Sequence, residues 1–232
     1  MSKPVAIVTG AGSGVGADIA RQLHDKGYIC VLVGRTEEKL EKVAEELDSD
    51  TLVIAADVAS NSDRERIVSE TLEAFGRIDA LVNNAGLALS SPLDRHKPDD
   101  MEQLFRVNGF GPVDLARRVL VPMTEAKSGM IVSVASMANF DPFPGLGLYG
   151  CSKAPLSVLP KAIMNEYGKK GIKAYTVCPG AIETGMLRGM YSEKVLPTSA
   201  TLDPSDVATR VVSCVVGECE EEPGAVIQMP SH

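Results

Sequence analysis

Seven short runs of β-branched and apolar residues, separated by longer amphipathic stretches, constrain this chain more than any other feature. They cover residues 5–9, 29–33, 52–55, 80–83, 130–134, 172–177 and 225–229. The runs are apolar throughout instead of alternating with polar residues. Strands of that kind must be covered on both faces, as in a parallel sheet between two helical layers. The stretches between them carry helical periodicity. Val15, Ile19, Ala20 and Leu23 share one helix face, and Gly27 ends the pattern. Thr36 is placed to cap a second helix, with Glu37 and Glu38 in its first turn and Leu40, Val43, Ala44 and Leu47 on its buried stripe. Ile67, Leu72 and Phe75 mark a third. Regular strand–helix alternation predicts an α/β fold of Rossmann type: a doubly wound, mostly parallel seven-stranded sheet with helices on both faces. A chain of 232 residues is long enough to bury one such core, so residues 1–232 are expected to form a single domain.

Bulk properties narrow the function classes. A formal net charge of -8 is unsuited to tracking a phosphate backbone, so no nucleic acid partner is expected. The 5 cysteines (30, 151, 178, 214 and 219) contain no C-x-x-C pair and resemble neither a disulfide framework nor a zinc set. His24, His96 and His232 lack metal-ligand spacing, and no metal is expected. No apolar run reaches membrane-spanning length, and no signal peptide opens the chain, so the expected location is cytoplasmic.

The segment Thr9-Gly10-Ala11-Gly12-Ser13-Gly14-Val15-Gly16 lies between the first strand and the first helix. Glycines there allow a tight turn and a close approach of backbone N–H groups to a pyrophosphate at the positive helix end. The spacing is T-G-x-x-x-G-x-G, carried by Thr9, Gly10, Gly14 and Gly16, and not the common G-x-G-x-x-G counted from Gly10.

With Asp57-Val58, Asn83-Asn84-Ala85-Gly86, Tyr149-Gly150-Cys151-Ser152-Lys153, Pro179-Gly180 and Thr184, all in order along the chain, the sequence resembles the short-chain dehydrogenase/reductase family, in its compact single-domain branch. The resemblance implies a nicotinamide-dependent oxidoreductase moving a hydride between its cofactor and a carbonyl or secondary alcohol. It implies catalytic roles for Ser136, whose hydroxyl would bond the reacting oxygen, and for Tyr149, Lys153 and Asn108, the last holding a water that links Lys153 to solvent. Ser133 is a rival for the serine role, but it falls inside a strand. The implied cofactor contacts are Gly10, Ser13, Gly14, Val15, Gly16, Asp57 with the adenine, Val58 beside it, Asn83, Ala85 and Gly86 along the cleft, Tyr149, Lys153 on the ribose, and Pro179, Gly180, Ile182 and Thr184 at the nicotinamide. Asp57 read by itself is equally a residue that precedes and caps a helix.

The residues carry part of this chemistry by themselves. Tyr149 and Lys153 stand at i and i+4, so on a helix they share a face. An ammonium beside a phenol is expected to stabilise the phenolate and lower its pKa, giving a proton donor and acceptor for carbonyl chemistry. Gly34 occupies the end of the second strand, where a carboxylate would hold the ribose 2′-OH of NAD, and Arg35 follows it. A guanidinium suits a 2′-phosphate, so NADP(H) is favoured, while Glu37 or Glu38 turning inward would allow NAD(H). The expected substrate is a small molecule. Met186, Leu187, Met190, Tyr191 and Leu196 in the 181–203 lid, with Phe140, Pro142, Phe143, Leu146 and Leu148, offer either an apolar pocket or ordinary loop packing. A 3-oxoacyl-carrier-protein reductase is the alternative, resting on Arg188 and Lys194 as cations for an acidic carrier. A non-catalytic nucleotide-sensing regulator on the same fold is a second. A long helix around Tyr149–Tyr167 is expected to have a second apolar face, and the resemblance implies that it packs against its mate in a homodimer or homotetramer.

Overall fold

The seven runs become seven strands, the central ones covered on both faces and the third and seventh, at the sheet edges, only in part. The computed structural model describes residues 3–47 and 50–231. Its elements run β1 (Val5–Thr9), α1 (Gly14–Asp25), β2 (Ile29–Gly34), α2 (Glu37–Ala44), β3 (Leu52–Ala55), α3 (Asn61–Phe75), β4 (Ala80–Asn83), α4 (Pro98–Phe105) and α5 (Gly111–Ala126). They continue with β5 (Gly129–Val134), α6 (Gly147–Lys153), α7 (Pro155–Tyr167), β6 (Ile172–Pro179), α8 (Gly185–Met190), α9 (Pro204–Val216) and β7 (Val226–Met229). The strand order is β3-β2-β1-β4-β5-β6-β7, and each of the six pairings is parallel.

Alternate residues of β1 to β6 feed two separate cores, while β7 adds Ile227 to the first. Ala6, Val8, Leu32, Val82 and Val132 pack with Ile19 and Leu23 of α1, Leu40 of α2 and Val211 of α9. Val5, Ile7, Val31, Leu81 and Ile131 pack with Ile67 of α3, Leu115 and Val119 of α5 and Ile163 of α7. This is why the strands read as unbroken apolar runs. A one-residue slip in register would exchange the two faces of a strand.

Two features differ from the sequence expectation. The helix expected over 149–167 is two helices, α6 and α7, that meet at Ala154. Pro155 has no N–H to continue the ladder, so the hydrogen bonding breaks there although Ala154 keeps helical backbone angles, and α7 starts anew with proline at its first position. A five-residue π-helical turn, Arg106–Phe110, joins α4 to α5. Pro112 stands four residues after Asn108 and cannot supply the N–H that an α-helix would bring to the Asn108 carbonyl.

The ends of β1 and β4 are locked together at the point where the strand order reverses. The Thr9 hydroxyl accepts from the backbone N–H groups of Asn84 and Ala85, both at 3.0 Å, and donates to the Val82 carbonyl at 3.3 Å. The Asn84 amide donates to the Thr9 carbonyl at 2.9 Å. Above this clamp, a Cβ on Gly16 would lie 2.2 Å from the Gly10 carbonyl oxygen, so only glycine lets α1 seat this close to the strand end.

Thr9→Val keeps the shape of the side chain but strands two backbone donors. It is expected to cost about 1–3 kcal/mol of unfolding free energy, read as a shift in urea midpoint at unchanged slope.

Candidate active site

A cleft of about 750 Å³ opens at the carboxyl ends of β1 and β4 and extends to the ends of β2 and β5. That is where the two halves of a doubly wound sheet part. Gly10, Ser13, Gly14, Val15, Gly16, Arg35, Asp57, Val58, Ala85, Gly86, Tyr149, Lys153, Pro179, Gly180, Ile182 and Thr184 line it, together with Ser136. The cleft has two ends of different character. Arg35, Thr36 and Lys39 form the end beside β2, and Ser136, Tyr149 and Lys153 form the end beside β5. Between them lies the N-terminus of α1, whose cap residue Ser13 makes no side-chain capping bond and whose first turn carries no acid. Unengaged amides at a positive helix end fit a pyrophosphate, and the cations at the β2 end suit further phosphate.

One expected contact is corrected. Asn83 does not line the cleft; it is 2 % exposed and donates its amide to the Pro112 carbonyl at 3.1 Å. Side chains alternate along a strand, so if Asn83 faces the α5 layer, the next residue faces the other way. Asn84 lines the cleft. Period-two counting from the apolar residues of β4 would have distinguished them. Lys39 also lines the cleft and was missed: it lies in the first turn of α2, four residues after Arg35, a spacing that the sequence displays.

Asp57 takes a double part. Its Oδ1 accepts from the Ala59 N–H at 2.9 Å, while Ser60 is the residue that caps α3. The helix-capping reading of Asp57 therefore gives way to a turn that fixes the cleft wall. Ser133 is 1 % exposed within β5, whereas Ser136 lies past the strand end on the cleft. Ser136 caps a short 3-10 turn by accepting from the Ala138 N–H at 3.1 Å. Its hydroxyl also hydrogen-bonds Tyr149.

Burial, more than mutual charge, governs the two titratable groups. The Tyr149 phenol is pushed up to about 12 by desolvation, against the lowering effect of the Ser136 bond. The expected lowering by Lys153 is absent, because the Lys153 ammonium is turned to the Val134 carbonyl, 2.9 Å away. Lys153 is 3 % exposed, and desolvation pulls its ammonium down to about 8. Asn108 stands behind this pair in the π-helical turn. Its Oδ1 accepts from the Leu87 N–H at 2.9 Å, and its amide donates to the Leu87 carbonyl at 2.7 Å and the Ser152 hydroxyl at 2.9 Å. The side chain is thus fully engaged with protein. Pro112 withholds the α-helical donor from its main-chain carbonyl.

The lid is stapled by its own residues. Arg188 makes a two-pronged ion pair with Glu183 and donates to the Leu196 carbonyl at 2.7 Å. The expected availability of Arg188 to an acidic partner is corrected accordingly. Of the ten apolar residues considered for a substrate pocket, Met186 lines the cleft. Leu146, Leu148 and Leu187 are core residues, and Phe140 and Phe143 are exposed. Among the described residues, no three His, Cys, Asp or Glu side chains gather as metal ligands would, and no helix is long and apolar enough to cross a membrane. His232 lies outside the described residues.

Comparison with known proteins gives consistent results. The family described as short chain dehydrogenase matches residues 4–194. An uncharacterized oxidoreductase of Staphylococcus aureus is 32% identical over 214 residues, covering 91% of this chain and 90% of that protein. Among solved structures, a 3-ketoacyl-(acyl-carrier-protein) reductase from Brucella melitensis, complexed with NADH, superposes with a TM-score of 0.91 at 27% identity, over 97% of this chain and 96% of its own. Levodione reductase gives a TM-score of 0.91 at 26% identity, over 98% and 96%.

Because desolvation raises the phenol and lowers the ammonium, the neutral forms of both are favoured. Ultraviolet difference titration of wild type against Tyr149→Phe should show no phenolate from Tyr149 until pH approaches about 12. The Lys153 positive charge should be lost as pH rises through about 8, read by a lysine-labelled NMR titration.

Proposed function

The chain belongs to the short-chain dehydrogenase family and is an NAD(P)-dependent oxidoreductase; we propose that it transfers a hydride between NADP(H) and a small carbonyl or secondary-alcohol substrate. The observation that carries this reading is the meeting of Ser136, Tyr149 and Lys153 on one wall of the cleft. The nicotinamide cofactor, when bound, supplies or accepts the hydride. In reduction, Tyr149 donates its proton to the carbonyl oxygen as carbon gains the hydride. A phenol held neutral is in the correct form for this at physiological pH. Ser136 donates a hydrogen bond to the same oxygen, where negative charge develops. The Lys153 ammonium stabilises the phenolate that remains. Its proton is replenished from solvent through a water on the Asn108 main-chain carbonyl. In oxidation the roles reverse, and Tyr149 must first lose its proton.

For cofactor choice, the β2 end of the cleft carries two cations, Arg35 and Lys39, and neither Glu37 nor Glu38 lines it. This supports a 2′-phosphate, hence NADP(H), over the 2′-OH of NAD(H). Two structural neighbours are named as reductases of carrier-bound 3-ketoacyl substrates, from Brucella melitensis and Sinorhizobium meliloti. That keeps the carrier-protein reading in play, but the engagement of Arg188 with Glu183 removes one of the two cations offered for it. We favour a free small carbonyl. Turnover on acyl-carrier thioesters exceeding that on small ketones would reverse the choice. Exposed Val113 and Val121 of α5 and Val158 of α7 suit packing against a second copy, as a homodimer or homotetramer. Light scattering should then give a mass above that of one chain.

Tyr149→Phe is expected to lower kcat by about 10²–10⁴ while NADPH still binds in a fluorescence titration. A non-catalytic sensor would instead keep its cellular function in that variant. Lys39→Ala should raise the KM for NADPH by about tenfold, the equivalent of ~1.4 kcal/mol, and leave the KM for NADH within about twofold.

A further inference from the structure

Arg64 is among the largest fully buried side chains, at 2 % exposed, yet it takes no part in the chemistry proposed above. A buried guanidinium needs partners for its donors, and three are present. Its Nη1 donates to the Val58 carbonyl at 2.7 Å. Its Nε donates to Asp114 Oδ2 at 2.7 Å. Its carbon centre lies 5.1 Å over the Phe110 ring. Asp114 is held in turn by Arg117 and Arg118, both at 2.8 Å, and these arginines keep its carboxyl well below the usual carboxylate range.

Of the three partners Val58 lines the cleft, and the other two belong to the segments packed behind its wall. Val58, with Asp57, forms the wall between the β2 end and the centre. Phe110 ends the π-helical turn that carries Asn108, and Asp114 lies in the first turn of α5. The wall and the turn also touch directly: a Cβ on Gly111 would lie 2.6 Å from the Val58 carbonyl oxygen, the atom that Arg64 holds. A fork-shaped, permanently charged donor spans this junction, where a lysine would meet one partner at a time.

We infer that Arg64 is a positioning residue for the adenosine half of the dinucleotide, fixing the Asp57–Val58 wall onto the π-helical turn through the Val58 carbonyl and the Asp114 carboxylate. This rests on the nucleotide-binding reading of the cleft. Ser136 follows β5, Tyr149 and Lys153 sit on α6, and none of the three makes a hydrogen bond with Arg64. Loss of Arg64 should therefore loosen adenosine binding and spare the chemical step.

The test uses Arg64→Lys and, to cover misfolding of the single change, the double variant Arg64→Met/Asp114→Leu, which removes the buried Arg64 charge together with its carboxylate while Arg117 stays exposed and Arg118 keeps its bond to Asn61. Dissociation constants for NADPH and for adenosine 2′-monophosphate are measured by fluorescence and calorimetry, with turnover on NADPH and on reduced nicotinamide mononucleotide, which lacks the adenosine half. Both adenosine-bearing ligands should weaken by at least about tenfold in the double variant, the scale of one charge-assisted hydrogen bond. Its kcat on saturating NADPH and its kcat/KM on the mononucleotide should stay within about twofold of wild type. Unchanged NADPH affinity in the folded double variant overturns the inference. So does an equal loss on NADPH and on the mononucleotide, which is what a general packing role would give. Failure of the wild type to bind NADPH and NADH alike would overturn the nucleotide reading itself, and this inference with it.

Discussion

The pairing of β1 with β4 is the constraint on which the rest of the molecule depends. β1 also pairs with β2, so the chain winds away from β1 in one direction and later in the other. Helices leaving the two strand ends must diverge, and the crevice between them cannot be filled by either. Every residue proposed to handle a nucleotide or a substrate borders that crevice. The Thr9 and Asn84 bonds hold its floor shut at the level of the backbone. The positive end of α1 can then overlook the crevice without a side chain intervening.

Burial gives this site its electrostatic character. Two groups that would attract one another in water are each pushed toward neutrality by the same wall. Lys153 finds its hydrogen bond on the Val134 carbonyl, and Tyr149 finds its bond on Ser136. A phenol pushed up in this way keeps its proton at physiological pH, and a charge partner must lower it again before it can act as a base. Arg188 and Arg64 show the opposite solution to burial or half-burial, since each keeps its charge by saturating it. Arg188 is spent on holding the lid, and Arg64 on holding the cleft wall.

How much of this was legible in the sequence varies from residue to residue. The strands were readable because burial on both faces leaves an unbroken apolar run, and the observed bounds shift by one or two residues. The glycine loop, Ser136, Tyr149, Lys153 and the Pro179–Thr184 segment were readable because their order along the chain is a family pattern. Asn83 was misplaced by one position because a motif of four letters does not say which of two adjacent side chains faces a cleft; strand alternation decides that. The break before Pro155 was written in the sequence, but the apolar pattern runs across it and hid it.

The sequence by itself determined the doubly wound sheet, the glycine loop between its first strand and first helix and the chemical types at the site, because these follow from local periodicity and from short motifs. Only the tertiary structure decided the ionisation preferences of Tyr149 and Lys153, the engagement of Arg188 and the junction at Arg64. Each of those depends on groups that are distant along the chain: Arg64 and Asp114 are 50 residues apart, and Lys153 and Val134 are 19. Desolvation and ion pairing act through space, and a linear pattern carries no record of which distant groups will share it.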